Sequence, residues 1–489
     1  MTRSRWTSNT VFIFAAVGSM VGLGNVWRFP YLAGKYGGGA FLAPYLIALF
    51  VIGLPLLILE FAIGQKMQQG AVGTYRKLHK GFAGLGVFAL LSAFIIASYY
   101  AVVMAWSLIY LKASTAVSWT GDAKGYFLNN VLEISESVGV IGGINWNVLI
   151  ALALVWIMIY FCVWKGTKSV GKVVMLTVPL PIILLGVLFV RAVTLPGFMD
   201  GWTMYLTPVW GALLDVDVWV AACAQIFFTI GIGFGMMIAY ASYKKQNADI
   251  ARDAWITALI NSAISLFSGF VVFGILGYMA SNTGTPIAEL AAEGPGLAFI
   301  VFPEALSLMP VAWFFSIVFF ITLLSLGIDS AFSLAEAVNI SILDYLKMSS
   351  KKISFYVCAA GFLAGIIFTT RAGLYFLDII DHFVTNYNLI LVGLIQTILV
   401  GWLYGAEKLR DYINDVSHWQ IGKWWDISIK FVVPILLLVL LGVQFYKDLT
   451  VPYEGYPMWA LYTGWAVIVV PLFIFIILII KDTTAKASE

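Results

Sequence analysis

The chain has 489 residues, of which 61% are hydrophobic and only 11% are charged. Soluble domains are about 45–50% apolar, so this composition excludes a water-soluble globular protein and indicates an all-α protein that crosses a membrane many times. The formal net charge of +3 is too small to indicate nucleic-acid binding.

Twelve apolar runs are long enough to cross a bilayer as helices, which takes about 20 residues each. We number them spans 1 to 12, predicted over 9–34, 40–65, 85–111, 147–164, 172–192, 219–242, 255–279, 311–342, 353–370, 375–404, 428–446 and 459–480. Most of the 28 Lys and Arg residues fall in connections that share one side if both termini are inside. The positive-inside rule therefore predicts cytoplasmic termini.

The segments between the spans are short. No cleavage-site pattern follows residues 1–6, so a removable signal peptide is not predicted. The connection 280–310 lacks Lys and Arg but is rich in Glu and Pro, which is typical of an external cap with short helices. We expect one membrane domain over 1–489.

Glycines are concentrated near the middle of spans 1 and 6. The first group lies between Gly18 and Asn25, and the second between Thr229 and Gly235. Glycine weakens a helix, and interrupted helices at corresponding positions of two halves indicate a transporter binding site. Close helix packing through small residues explains the same pattern equally well at this point.

Several polar side chains lie inside the apolar runs, where an ionised group costs about 2.5–3.5 kcal/mol at mid-bilayer. Asp329 and Ser330 lie deep in span 8 and resemble oxygen ligands for a monovalent cation. Asn261 and Ser265 share a face of span 7, where their donors suit an anion or a neighbouring helix. For Glu60 we expect bonds to main-chain donors freed by a broken helix.

Side chains that usually bind metals or perform catalysis are few. Cys162, Cys223 and Cys358 all lie in apolar stretches, and the three histidines are not spaced with them or with carboxylates. We therefore predict no disulfide, no structural metal site and no enzyme active site.

A series of motifs makes the sequence recognisable. Residues 22–31 read GLGNVWRFPY and are followed by GGGAF at 37–41 and PY at 44–45. QIFF at 225–228 and ASY at 241–243 continue the series. The sequence resembles the neurotransmitter:sodium symporter family along all twelve spans.

The resemblance implies a leucine-transporter-like fold and sodium-driven import of amino acids or related amines by alternating access. It implies two inverted repeats of five spans, at 9–192 and 219–404, in which helices 1 and 6 are broken. Spans 11 and 12, with a short cytoplasmic tail, would form a peripheral region over 405–489.

The resemblance also implies two sodium sites. The first would use the substrate's carboxylate and groups of Met20, Asn25, Thr229 and Asn261. The second would use carbonyl or side-chain oxygens of Gly18, Val21, Leu326, Asp329 and Ser330.

A chloride site is implied by one substitution. Chloride-independent bacterial members have a glutamate at the position of Ser265, whereas chloride-dependent relatives have a serine. A bound anion would offset the positive charge of the sodium ions. The implied ligands are Tyr45, Gln225, Thr229, Asn261 and Ser265.

The resemblance assigns a substrate pocket to Ser19, Met20, Gly22, Leu23, Gly24, Ile96, Tyr100, Phe228, Gly231, Phe234, Ser330 and Leu334. Monoamine transporters have an aspartate at the position of Gly22, so the ligand here is expected to bring its own acidic group. Met20 is larger than the family's usual alanine, which suggests a small substrate. Gly231 replaces a serine of many α-amino acid carriers, so taurine, GABA and β-alanine stay open.

Two gates follow from the same resemblance. Arg28 and Asp381 would pair on the extracellular side, above an aromatic lid of Tyr100 and Phe228. The cytoplasmic gate would comprise Arg3, Trp6, Ser242, Tyr243 and Asp344.

The predicted function is sodium- and chloride-coupled import of a small zwitterionic solute across the cell membrane, with lipid as the other partner. The alternatives are an amino-acid sensor of the same fold, which binds without net transport, and a sodium-leak pathway. The short connection 113–146, which lacks a glycosylation sequon, resembles that of bacterial members.

Overall fold

The computed structural model describes residues 5–290 and 294–487, with side chains up to residue 481. The chain is 81% helical, and the described residues contain no β-strand. The prediction of an all-α polytopic membrane protein is thereby confirmed.

Ten helices in this part of the chain are long and apolar enough to cross a membrane. They match predicted spans 2 to 5 and 7 to 12. Their bounds are Gly39–Met67, Lys80–Ala113, Trp146–Val163, Thr167–Ala192, Ala251–Thr283, Ala312–Leu343, Ser350–Thr369, Gly373–Val416, Lys423–Gly455 and Met458–Lys481.

Spans 1 and 6 are the two interrupted helices. Span 1 consists of Asn9–Met20 and Leu23–Lys35, which meet at an angle of 66°. Span 6 consists of Val216–Thr229 and Met236–Ala241, with a non-helical stretch at 230–235. Both breaks fall at the glycine groups, as predicted, and they bring the spans to about twelve.

The connection after span 7 forms the predicted cap of short helices. Its described pieces are Ile287–Leu290, Leu297–Val301 and Phe302–Ser307. Tyr110 of span 3 donates to the carbonyl of Phe299 at 2.6 Å, so the cap is tied to the membrane helices.

Burial separates central spans from those that face lipid. In span 8, 83% of the most apolar stretch is buried within the protein, against 22% in span 12. Span 8 packs against span 3 and contacts both broken helices, so it positions the interior site. The division into two inverted repeats stays a prediction.

Candidate functional site

A cavity of about 530 Å³ lies between the two breaks and extends toward the cap that follows span 7. Its inner part is lined by main-chain and side-chain groups of spans 1, 3, 6 and 8. Its outer part reaches Pro295 of the cap and Tyr453 at the end of span 11. All the residues predicted for substrate binding line this one cavity.

The break in span 1 turns main-chain groups toward the cavity. Val21 and Gly22 have extended backbone angles, and the helix resumes at Leu23. The Leu23 N–H donates to Tyr100 Oη at 3.2 Å, which fixes this hydroxyl beside the break. A Cβ atom at Gly22 would lie only 2.7 Å from Ser330 Oγ, so the position has no room for a side chain.

The break in span 6 depends on three glycines with positive φ. Gly231, Gly233 and Gly235 have φ of +68°, +84° and +74°, which L-residues rarely adopt. Glu60 of span 2 accepts a hydrogen bond from the Gly233 N–H at 3.0 Å. This contact confirms that Glu60 satisfies a donor freed by the interruption.

Beside the cavity, the side chains predicted for the first sodium site and for chloride form one buried polar cluster. Asn25 Nδ2 donates to Ser265 Oγ at 2.7 Å, to Asn261 Oδ1 at 3.0 Å and to Thr229 Oγ1 at 3.2 Å. Asn25 Oδ1 accepts from the Gly22 N–H at 2.9 Å. The side-chain oxygens predicted to bind the first sodium ion therefore lie close together. The Asn25 amide, however, points its nitrogen toward them, whereas binding of a sodium ion would require its oxygen.

One helical turn before Thr229, span 6 carries an unsatisfied amide. Gln225 is fully buried, and neither of its side-chain polar atoms has a hydrogen-bond partner among the described residues. Buried polar atoms are rarely left unpaired, so this amide is suited to a ligand. Tyr45 donates to Ser262 Oγ at 3.2 Å; Ser262 was not predicted, because its spacing differs from the Asn261–Ser265 face.

A second, small cavity of about 10 Å³ lies between spans 1, 5, 7 and 8. Of the residues predicted for the second sodium site, Gly18, Val21, Leu326 and Asp329 line it. A Cβ at Gly18 would come within 2.8 Å of Asp329 Oδ2, so glycine permits this close approach. Ser330 instead lines the large cavity, where its Oγ donates to the Ser19 carbonyl at 3.4 Å.

Sequence reasoning missed one partner of the buried carboxylate. Thr177 Oγ1 of span 5 donates to Asp329 Oδ1 at 2.6 Å. Asp329 is 2% exposed, so this hydroxyl supplies one of the few contacts that a buried carboxylate requires. Nothing in the local pattern around Thr177 distinguishes it from an ordinary threonine of a helix.

The predicted extracellular ion pair is not formed in this structure. Arg28 and Asp381 both line the large cavity, but no ion pair of the described residues joins them. The Arg28 guanidinium lies over the Phe228 ring, 5.2 Å from its centroid. Asp381 Oδ1 accepts from Tyr99 Oη at 2.5 Å. The two gate residues are separated because each has another partner, and the cavity is open between them.

Of the residues predicted for the cytoplasmic gate, Trp6, Ser242 and Tyr243 lie at the ends of the broken helices that point away from the breaks, where the N-terminal segment is bound. Trp6 Nε1 donates to the Tyr240 carbonyl at 2.9 Å, and the Trp6 N–H donates to the Tyr243 carbonyl at 3.3 Å. Asp344 accepts from the Gly70 N–H at 2.6 Å. Ser242 is buried and donates to a carbonyl of its own helix; Arg3 lies outside the described residues.

A buried ion pair lies next to these contacts. Lys244 Nζ lies 2.5 Å from Asp253 Oδ2, and Asn9 donates to the other oxygen of Asp253 at 2.8 Å. Burial lowers the pKa of the Lys244 ammonium, and the adjacent Asp253 carboxylate opposes that effect. The ion pair ties the connection between spans 6 and 7 to span 7, and Asn9 ties span 1 to the same carboxylate.

Taken together, two interrupted helices surround an interior cavity that is open on one side and closed on the other, as in secondary transporters. Comparison with known proteins gives a specific assignment. The model of the sodium:neurotransmitter symporter family matches residues 3–121 and 114–485. The chain belongs to this family.

Individual relatives match over nearly the whole chain. An uncharacterised sodium-dependent transporter of Methanocaldococcus jannaschii is 42% identical, with 99% of each chain covered. A sodium- and chloride-dependent taurine transporter of Rattus norvegicus is 35% identical over 97% of this chain and 84% of its own. A sodium- and chloride-dependent glycine transporter 2 of Xenopus laevis is 34% identical over 95% and 67%, respectively.

Proposed function

We propose that this protein is a symporter that couples sodium and chloride gradients to the import of a small zwitterionic solute. The observation that carries the proposal is the buried cluster of Asn25, Thr229, Asn261 and Ser265 beside the large cavity. These four side chains carry oxygen atoms that can bind ions, and none of them is charged.

Sodium coupling is supported by two separate places where oxygens converge. The first is the cluster around Asn25, and the second is the small cavity that contains Asp329. A dehydrated cation needs several oxygens in place of water. We assign one sodium ion to each place. The ligands are those predicted from the sequence, except that Ser330 lines the large cavity and is not among the residues around the second place.

Chloride coupling is supported by the chemistry around Ser265. The hydroxyls of Tyr45 and Ser265 and the amides of Gln225 and Asn261 provide donors but no cationic side chain. The unpartnered amide of Gln225 is the donor that a chloride ion would use most directly. The taurine and glycine transporters among the relatives are named as chloride-dependent.

The shape of the cavity supports a small solute that carries its own acidic group. Gly22 has no room for the carboxylate that an amine substrate would need, because Ser330 and Tyr100 fill that space. Tyr100 Oη can donate to an anionic group while it accepts from the Leu23 N–H. Met20, Phe234 and Leu334 line the cavity and limit its apolar part.

The arrangement of the gates supports alternating access across the cell membrane, with both termini cytoplasmic. The cavity is open between Arg28 and Asp381, while Trp6 and Tyr243 close the opposite side. We propose that the ion pair forms when the substrate is bound and that the two inverted repeats then move relative to each other.

Uptake into proteoliposomes tests the proposal. Labelled glycine, alanine, leucine, β-alanine, GABA and taurine are offered under inward gradients of NaCl, sodium gluconate and KCl. We expect one or more of the small solutes to accumulate only with NaCl. Equal uptake in gluconate would remove chloride coupling; binding without uptake would favour a sensor, and sodium flux without any solute would favour a leak pathway.

A further inference from the structure

A histidine lies directly beside the extracellular gate residue Asp381. His382 follows it in span 10 and lines the outer part of the large cavity. Its Nε2 lies 3.0 Å from Asp448 of span 11, and the two side chains are only 8% and 6% exposed. The gate-bearing end of span 10 is thus attached to span 11 through one imidazole.

Asp448 is held in place from several directions. Tyr387 Oη donates to it at 2.6 Å, and Gln444 Nε2 donates to it at 3.1 Å. The Asp448 carboxylate is therefore held in the same position in the neutral and in the protonated form of the imidazole. Asn386 Nδ2 lies 3.3 Å from the other ring nitrogen of His382, and rotation of this amide can serve either form of the ring.

The imidazole also touches the end of span 11. Its ring stacks on Tyr453 with the centroids 3.7 Å apart and an angle of 21° between the planes. Tyr453 Oη donates to Asp378 Oδ1 at 3.0 Å, and Tyr456 Oη donates to the other oxygen at 3.0 Å. Asp378 and Asp381 lie one turn apart, so this network holds both carboxylates at the mouth of the cavity.

The charges around His382 are predominantly negative. Asp448 faces it from span 11, together with the phenols of Tyr387 and Tyr453. Of the residues that the structure describes, the acids lining the same cavity are Asp378, Asp381 and Glu454, and the cationic side chain is that of Arg28. Lys447, next to Asp448, is paired with Asp217 at 2.7 Å.

Imidazole is a side chain that can change its charge near neutral pH, and His382 lines the cavity. The charged ring makes a charge-assisted hydrogen bond to Asp448, which is roughly twice as strong as a neutral one. The contacts described above exist while Arg28 and Asp381 are apart. Closure requires Asp381 to move toward Arg28, and the adjacent His382 moves with it, away from these contacts. A proton that strengthens the contacts therefore favours the open arrangement.

We propose that His382 is a positioning residue through which external protons hold the extracellular gate open. The proposal rests on the proposed function, because it takes Arg28 and Asp381 as the gate that closes over the substrate. Its expected consequence is that acidic external solution keeps the cavity accessible and slows its closure.

Access to the cavity can be measured without a substrate. Ile300 lines the cavity from the cap, and an Ile300→Cys variant, with Cys162, Cys223 and Cys358 replaced by Ala, provides one reactive thiol. The full-length protein in KCl proteoliposomes is labelled with a membrane-impermeant maleimide at external pH 5.5 to 8.0. The absence of sodium and solute leaves the gate equilibrium unbiased.

Two substitutions separate the histidine's charge from its packing. His382→Gln keeps a neutral hydrogen-bonding side chain, and His382→Lys keeps a positive charge at every pH tested. The labelling rate of each variant is divided by the rate of His382→Gln at the same pH. This ratio corrects for the faster reaction of the Ile300→Cys thiol at higher pH. We expect the ratio for unsubstituted His382 to rise about fivefold from pH 8.0 to 5.5, and the ratio for His382→Lys to stay high throughout.

A ratio that does not change with pH overturns the proposal, as does a ratio that falls in acid. Asp448→Asn provides an independent variant, for which we expect the pH dependence to disappear while Tyr387 and Gln444 still hold the amide. Uptake under a NaCl gradient distinguishes the two proposals. If the solute is taken up but labelling does not depend on pH, only the proposed role of His382 is wrong. If labelling depends on pH but no solute is taken up, only the proposed symporter function is wrong.

Discussion

Asp329 lies almost fully buried in span 8, and its environment shows what the carboxylate requires. Thr177 donates one hydrogen bond to it, and Gly18 approaches without a side chain. No ion pair of the described residues includes Asp329. A buried carboxylate with so little compensation is costly, and a bound cation would remove that cost.

Replacing Asp329 with Asn tests this directly. The amide keeps the shape but loses the charge that would bind sodium, so we expect sodium-driven uptake in proteoliposomes to fall at least about tenfold. Glu304→Gln makes the same change on the exposed cap and should leave uptake unaltered. Retained sodium dependence in Asp329→Asn would exclude Asp329 from the site.

Ser265 carries the prediction about chloride. A glutamate at this position would place a fixed negative charge beside Asn25 and Thr229, where the bound chloride is proposed to lie. We expect Ser265→Glu to transport as well in gluconate as in chloride, whereas Ser265→Gln, which is similar in size but uncharged, should not. If Ser265→Glu still needs chloride, the anion lies elsewhere.

At the scale of single elements, the break in span 6 is determined by the backbone conformation of its glycines. Gly233 has a φ of +84°, and its N–H is held by Glu60. A Cβ at Gly233 would lie 2.9 Å from the carbonyl oxygen of Leu389 in span 10. The break is thereby locked between spans 2 and 10.

Gly233→Ala should therefore destabilise the protein by about 1–3 kcal/mol and reduce uptake. Gly186→Ala is the matched control, because Gly186 is helical and has open space at its Cβ position. Thermal unfolding in detergent, followed by an uptake assay, compares the two variants. Equal melting temperatures for both would contradict the proposed locking of the break.

The elements themselves could be predicted from the sequence because their signals are local. Apolar runs predicted the spans, and glycine groups predicted the two breaks. Contacts between distant elements have no such signal. Two examples are the hydrogen bond from Thr177 to Asp329 and the separation of Arg28 from Asp381. Both depend on how spans 1, 5, 8 and 10 pack together, and this packing cannot be predicted from any one segment of the sequence.

On the scale of the whole molecule, one side of the cavity is open and the other is closed. Trp6 joins the N-terminal segment to the second half of span 6, Asn9 joins span 1 to Asp253 of span 7, and Asp344 joins the end of span 8 to the connection between spans 2 and 3. A transporter that opened both sides together would dissipate its ion gradients, so this asymmetry is what coupling requires. Which side is open could not be predicted from the sequence, because it depends on contacts between distant spans.

The orientation in the membrane is a prediction from the distribution of Lys and Arg. Gly211, which has open space at its Cβ position, should face the outside, and the exposed Lys347 should face the cytoplasm. In whole cells, an impermeant maleimide should label Gly211→Cys and leave Lys347→Cys unlabelled until the membrane is permeabilised. The reverse pattern would invert the assigned topology.

The open cavity of about 530 Å³ also makes hydration part of the transport cycle. A space of that size holds on the order of ten or more water molecules, and closing the gate over a small solute must expel most of them. Osmotic pressure therefore affects the step in which the gate closes, because that step releases water. An external osmolyte too large to enter the cavity should draw water out and favour the closed form, so the transport rate of this protein is coupled to the water activity of its surroundings.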